Sequence, residues 1–163
     1  MASFDIVLKT DLQKVDNAVQ VSKKELQNRW DLKNAECSVE LNKQSKTISI
    51  SAENDMQLNG ILDTLHSRLI KQGIDPRALD ESKEHYPSGK FIKKEISIRE
   101  GIQKEKSKEI IDKIKSLKTK ATCQYMDNQI RVTSKSIDEL QQIIAFLRTQ
   151  DVGIPLDFQN FKR

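Results

Sequence analysis

Six apolar positions of this 163-residue chain recur at one spacing. Ile48 and Ile50 correspond to Ile130 and Val132 at an offset of 82, and Leu58, Ile61, Leu62 and Leu65 correspond to Leu140, Ile143, Ile144 and Leu147 at the same offset. Gly73-Ile74 returns as Gly153-Ile154 at 80, and Ala-x-Cys stands at 35–37 and again at 121–123. Such a repeat means that one core plan is used twice. Whatever packs Ile48 and Leu58 must also pack Ile130 and Leu140.

Hydrophobic periodicity supplies the plan. Phe4, Ile6 and Leu8 alternate with Asp5, Val7 and Lys9, which reads as a strand. Thr10 or Asp11 caps a helix whose apolar positions, Leu12, Val15, Val19 and Leu26, run to about Trp30. Ala35–Leu41 reads as a strand with Cys37, Val39 and Leu41 on one face; residues 42–45 have turn chemistry, and Thr47–Ser51 is the next strand. Asn54 or Asp55 caps a helix striped by Leu58, Ile61, Leu62, Leu65 and Leu69, which Gly73 ends, and a short strand near Ala78–Leu79 follows. Residues 80–90 are polar, carry Pro87 and Gly89, and read as a linker. The order then restarts: a strand at 91–99, a helix at 101–118, a strand at 120–126, a turn at Asp127-Asn128 and a strand at 129–133. A helix capped by Ser136 and a last strand through Phe158 complete it.

The pattern is β-α-β-β-α-β, twice, and the expected class is α+β. It predicts tandem ferredoxin-like domains, each an antiparallel four-stranded sheet with two helices on one face. The boundaries it suggests are 1–85 and 86–163. A second arrangement satisfies the same pattern: strand 3–9 exchanged into the sheet of the second half.

Charge is uneven along the chain. Residues 1–85 carry 12 basic and 14 acidic side chains, and residues 86–163 carry 16 and 10. Residues 90–120 alone hold 11 basic and 5 acidic groups, so the basic field is local and points to phosphate-bearing partners. Cys37 and Cys123 match neither a zinc spacing nor a C-x-x-C motif. His66 and His85 lie in different segments without a third ligand, and no G-x-x-x-x-G-K-[ST] or G-x-G-x-x-G occurs. No paired carboxylates stand at a catalytic spacing. The expectation is a binding protein, not an enzyme, with no cofactor and no metal. No apolar run reaches the ~20 residues of a membrane span, and the N-terminus lacks the features of a signal peptide, so a cytoplasmic location with no membrane partner is expected.

Candidate contacts lie in the second half. On a helix beginning near Gly101, Lys104, Lys108 and Lys115 fall within about 40° of one another. Lys106 and Lys113 form another basic edge, and Glu105, Glu109 and Asp112 cluster opposite. The plain alternative is a solvated helix laced with i,i+4 pairs such as Glu109–Lys113. On the strands, Lys93, Arg99, Lys120, Gln124, Arg131 and Thr133 point away from the apolar face, where charge could hold phosphates and amides or hydroxyls could read bases. Lys90 and Lys118 extend the phosphate set. The corresponding face of the first half, Glu36, Ser38, Glu40, Thr47, Ser49 and Ser51, would repel a phosphate chain. Ile130–Thr133 stands where an RNA-recognition sheet carries stacking rings. Phe91 and Tyr125 are the nearest aromatic candidates, so weak, charge-led binding is expected. Lys162 and Arg163 could add to an anion site.

An ordered set of short motifs then becomes familiar: Ser-Phe-Asp-Ile-Val at 3–7, Ser-Lys-Thr-Ile at 45–48, Ser-Gly-Lys at 88–90 and Gly-Ile at 101–102. Ile-Arg-Val-Thr-x-Lys-Ser at 130–136 and Gly-x-Pro-x-x-Phe-x-Asn-Phe at 153–161 continue it. The whole chain resembles the YajQ family of small bacterial proteins. The resemblance implies tandem ferredoxin-like domains similar to ribonucleoprotein modules. It also implies binding of nucleotide or RNA, with transfer RNA and purine nucleotides the usual ligands, and no catalytic residues. The alternative it implies is a regulatory effector that senses a signalling cyclic dinucleotide and contacts a protein partner. A monomer or weak oligomer is expected.

Overall fold

A computed structural model describes residues 1–29 and 36–163. The expected helix end at Trp30 and the strand start at Ala35, with the first Ala of the Ala-x-Cys repeat, lie outside the described residues. The chain forms two compact units that do not follow the halves of the sequence. One comprises Met1–Lys9 with Glu100–Arg163, the split unit; the other is Thr10–Arg99, the inserted unit.

The split unit contains β1 (Ala2–Val7), α3 (Lys104–Lys115), β7 (Thr122–Met126), β8 (Gln129–Ser134), α4 (Ile137–Arg148) and β9 (Asp157–Lys162). Its antiparallel sheet has the order β7-β8-β1-β9. The inserted unit contains α1 (Leu12–Asn28), β2 (Ser38–Asn42), β3 (Thr47–Ala52), α2 (Asp55–Lys71), β4 (Leu79–Asp80), β5 (Tyr86–Ser88) and β6 (Phe91–Ile98). Its sheet runs β2-β3-β6-β4, with β5 also pairing β6. Each is the ferredoxin-like arrangement with the first strand of its repeat supplied by the other half. β1 lies beside β8, with Phe4 opposite Val132 and Ile6 opposite Ile130. β6 lies beside β3, with Ile96 opposite Ile48.

The boundaries 1–85 and 86–163 are therefore corrected: the second arrangement, with strand 3–9 in the sheet of the second half, is the one observed, and β6 completes the sheet of the first. The physical reason is that β1 and β6 carry the same alternation. Either strand presents apolar side chains every second residue to a helix-covered face, so the core pattern alone does not choose its sheet. Regrouping also levels the charge. The split unit holds 13 basic and 10 acidic residues, net +3, and the inserted unit 15 and 14, net +1.

The repeat positions do form matching cores. Ile48, Ile50, Leu58, Ile61 and Leu65 are buried in the inserted unit with Val15, Val19 and Ile96. Ile130, Val132, Leu140, Ile143 and Leu147 are buried in the split unit with Phe4, Ile6 and Ile110. Burying a side chain of this size contributes about 1.5–3 kcal/mol. Gly73 and Gly153 both have φ +81°, the left-handed conformation that glycine adopts most easily; Gly73 ends α2 with it, whereas Gly153 lies in the loop beyond α4, whose cap is Thr149.

Two elements differ from expectation. Residues 80–90 are not a linker: Tyr86–Ser88 turns back onto β6 through Gly89-Lys90, with Ser88 opposite Phe91. Pro87 is tolerated on this short strand because an outer position need not donate a backbone hydrogen bond. The helix expected over 101–118 is confined to Lys104–Lys115, because Gly101 and Lys118 take positive φ at either side. Among the described residues no helix is long and apolar enough to cross a membrane.

Candidate functional site

Each sheet has one face against its helices and one face without a helical cover. In the split unit Phe4, Ile6, Ile130 and Val132 point to the helices. The residues between them form the other face in cross-strand rows: Lys162, Ser3, Thr133 and Thr122, then Gln159, Asp5, Arg131 and Gln124. Arg131 and Gln124 are exposed, and Thr133 is half-buried.

Asp5 organises this surface. Its side chain is 2% exposed, against 45% for Arg131. Arg131 Nε donates to Asp5 Oδ1 at 2.9 Å and a terminal guanidinium nitrogen to Oδ2 at 3.4 Å. Asn160 Nδ2 donates to Oδ2 at 2.9 Å. Asn160 reaches it because φ +55° makes an irregularity in β9, where the pairing with β1 shifts between Ser3 and Asp5. The Arg131 hydrogen bond holds the Asp5 carboxyl below its ordinary range against the opposing effect of burial, with help from Asn160 and Lys162. The same pair raises the Arg131 guanidinium further. Arg131 is thus a fixed cation with one edge engaged and the rest of the guanidinium outward.

Lys120 enters the surface beside β7. Its backbone N–H donates to Glu139, whose other oxygen accepts from the Ser134 hydroxyl at 2.8 Å. Ser134 and backbone donors around residue 120 hold the Glu139 carboxyl low. Glu139 therefore stays ionised and pins the turn that carries Lys118 and Lys120. Tyr125 is not a stacking platform: its hydroxyl donates to the Ile102 carbonyl at 2.6 Å, and it packs against the helix-side core.

The eleven expected contacts separate into three places. Gln124, Arg131 and Thr133 share the uncovered face of the split unit, with Lys120 at its margin. Lys104, Lys108 and Lys115 are exposed on α3, which packs Ile110 and Ile114 onto the opposite side of that sheet, and Lys118 lies in the following turn. Glu109 on α3 pairs with Lys106 at 2.9 Å. Lys90, Lys93 and Arg99 belong to the inserted unit, a correction that follows from the strand exchange. Lys90 pairs with Glu36 at 3.0 Å. Lys93 stands opposite Ser51, and Arg99 Nε donates to the Arg77 carbonyl at 3.0 Å. The supposedly repulsive face of the first half therefore gains cations, while the split-unit face gains Asp5.

Asp5, Asn160 and Glu139 are the residues that sequence reasoning missed. The one available signal was a carboxylate at an outward position of an otherwise apolar strand. Its partner could not be named without the sheet order. Among the described residues no group of three or more His, Cys, Asp or Glu could hold a metal ion. Both thiols are free and half-buried, and burial raises each of them, with Glu53 adding to the effect at Cys37 and Lys115 opposing it at Cys123.

The described residues thus form two helix-backed sheets, each with a polar second face. The chain belongs to the family described as nucleotide-binding protein YajQ-like, which matches residues 2–162. It is 48% identical to a nucleotide-binding protein of Cytophaga hutchinsonii over 162 residues, 99% of this chain and all of that one. It is 44% identical to a nucleotide-binding protein of Geotalea daltonii over the full length of both. It is 42% identical to the nucleotide-binding protein YajQ of Escherichia coli O81 over 99% of each chain.

Proposed function

We propose that this protein is a non-catalytic nucleotide- or RNA-binding protein whose phosphate contacts lie on the uncovered sheet face of the split unit. The observation that carries this reading is the cross-strand row in which Arg131, anchored by Asp5, stands beside Gln124, with Thr133 and Thr122 in the next row. A guanidinium already fixed on one edge loses little freedom when its remaining donors meet a phosphate. Gln124 offers an amide to a base edge, and the threonine hydroxyls suit ribose or phosphate oxygens. Lys120 and Lys162 border the face, and the α3 lysines act only through their field. Full-length similarity to proteins named for nucleotide binding supports the ligand class.

The test is a titration of isotope-labelled protein with a short single-stranded RNA, run beside transfer RNA and a cyclic dinucleotide. Shifts are expected at Thr122, Gln124, Arg131 and Thr133. The logarithm of affinity should fall with log salt at a slope of about −0.7 per contacted phosphate, and Arg131→Gln should weaken binding. Affinity independent of salt, or shifts confined to α3, overturns the reading.

A further inference from the structure

We propose that the inserted unit carries a separate nucleobase pocket, with Phe91 as stacking surface, Glu36 as acceptor for a base amino group, and Lys90 and Lys93 for the attached phosphate. It rests on the nucleotide-binding reading for its ligand class but uses none of the split-unit residues. The pocket is an open hollow of about 250 Å³ lined by Glu36, Cys37, Ser38, Ser51 and Phe91. Ser38, Ser51 and Phe91 lie on the uncovered side of the sheet, because their neighbours Val39, Ile50 and Ile92 point to the helix-side core, against which Cys37 also packs.

Its size and chemistry select the occupant. Pockets for whole drug-sized ligands span roughly 300–1,000 Å³, so this one takes a base and leaves ribose and phosphate outside. Phe91 is half-buried and contributes to the lining, and base–aromatic stacking tolerates any base. Ser38 and Ser51 supply hydroxyls that donate or accept. The Glu36 carboxylate only accepts, and carboxylates pair with the amino groups of bases. Uracil has no amino group, and carbonyl oxygens flank its ring N–H, so adenine, cytosine and guanine are preferred. Burial keeps the Cys37 thiol neutral, which adds no competing charge.

Cations stand at the mouth. Lys90 Nζ is 3.0 Å from Glu36 and lies over the Phe91 ring, 5.3 Å from its centroid, so it swings aside when a base stacks on that face. The Lys90 and Glu36 side chains are 71% and 66% exposed, so their ion pair is weak and is readily exchanged for a base on one side and a phosphate on the other. Lys93 faces Ser51 across the strand pair.

The test uses isotope-labelled full chain titrated with AMP, CMP, GMP, UMP, inorganic phosphate and a short single-stranded RNA. AMP, CMP and GMP are expected to shift Ser38, Ser51 and Phe91, with UMP weaker. Phosphate alone should shift only Lys90 and Lys93. Phe91→Leu should weaken AMP binding on the order of tenfold. Glu36→Gln, at an exposed position that leaves the fold intact, should abolish the preference over UMP. Shifts at the hollow with RNA but not with mononucleotides assign the occupant to a base within a strand and support the pocket. A hollow silent to every ligand, or equal affinity for UMP and CMP in the parent, overturns it. Gln124 and Arg131 answering RNA while the hollow stays silent removes the pocket and leaves the function reading standing. A responsive hollow beside a silent split-unit face does the reverse.

Discussion

Asp5 and Arg131 are separated by 126 positions in the chain and are direct cross-strand partners in the sheet of the split unit. The pair links fold to candidate function. It exists only because β1 lies beside β8, and it sets the direction and net charge of the best-placed cation on the uncovered face. A buried carboxylate with two donors is stable there, whereas one facing another acid would not be.

Replacing Asp5 by Asn removes that anchor. Stability should fall by about 1.5–3 kcal/mol in urea unfolding at pH 7, the usual worth of hydrogen bonds to a charged group. Because the folded carboxyl titrates below its unfolded value of about 3.9, its contribution is complete above that pH. It is lost as pH falls through the lower folded value. The gap between parent and D5N should therefore close in the acid range below roughly pH 4. RNA affinity should fall in the variant at pH 7, because Arg131 loses the carboxylate that fixes one edge of its guanidinium. An unchanged affinity removes the Asp5 anchor from the binding reading.

The strand exchange predicts which fragments fold. Residues 10–99 contain every strand of the inserted unit, so this piece should give dispersed amide resonances and cooperative unfolding. Residues 1–85 lack β6, whose Ile96 faces Ile48 at the sheet centre, and should give neither. A cooperative 1–85 fragment contradicts the sheet order.

Lys104 and Lys108 lie on the helix side of the sheet that presents Arg131 on its other face. Changing both to Gln should reduce RNA affinity at low salt only, and the effect should fade near physiological ionic strength, where the screening length is about 8 Å. The Arg131→Gln loss should persist there. Binding curves at two salt concentrations separate the cases.

Gly101 tests the point where the chain enters the split unit. Its φ is +79°, its N–H donates to the Leu8 carbonyl at 2.8 Å, and an added Cβ would stand 2.8 Å from Asn128 Cβ. Gly101→Ala should cost at least the ~1–2 kcal/mol of a left-handed non-glycine residue, read as a lower midpoint in thermal unfolding. A neutral result overturns the left-handed conformation at Gly101.

Much of the architecture was legible because it is local. The stripes Leu58–Leu65 and Leu140–Leu147 specify helices with one buried face, Asp127-Asn128 takes the two positive φ values of a tight hairpin turn, and Ser136 caps α4. The candidate site was legible in part. Gln124, Arg131 and Thr133 do share one face, as alternation along β7 and β8 requires. Lys93 and Arg99 were grouped with them because they follow in the same half of the chain, and sequence proximity says nothing about which sheet a strand completes. The hairpin at 86–91 was missed because Pro87 and Gly89 carry the composition of a linker.

By itself, then, the order of residues determined two copies of one α+β plan, their core positions and the inward or outward sense of each strand residue. Those follow from period and propensity, which act over a few residues. Only the tertiary structure decided that β1 and β6 trade places, that Asp5 meets Arg131, and that Lys90 joins Glu36 beside Phe91. These are long-range choices between cores of equal apolar pattern, and their consequences lie in cross-strand pairs that no local period encodes.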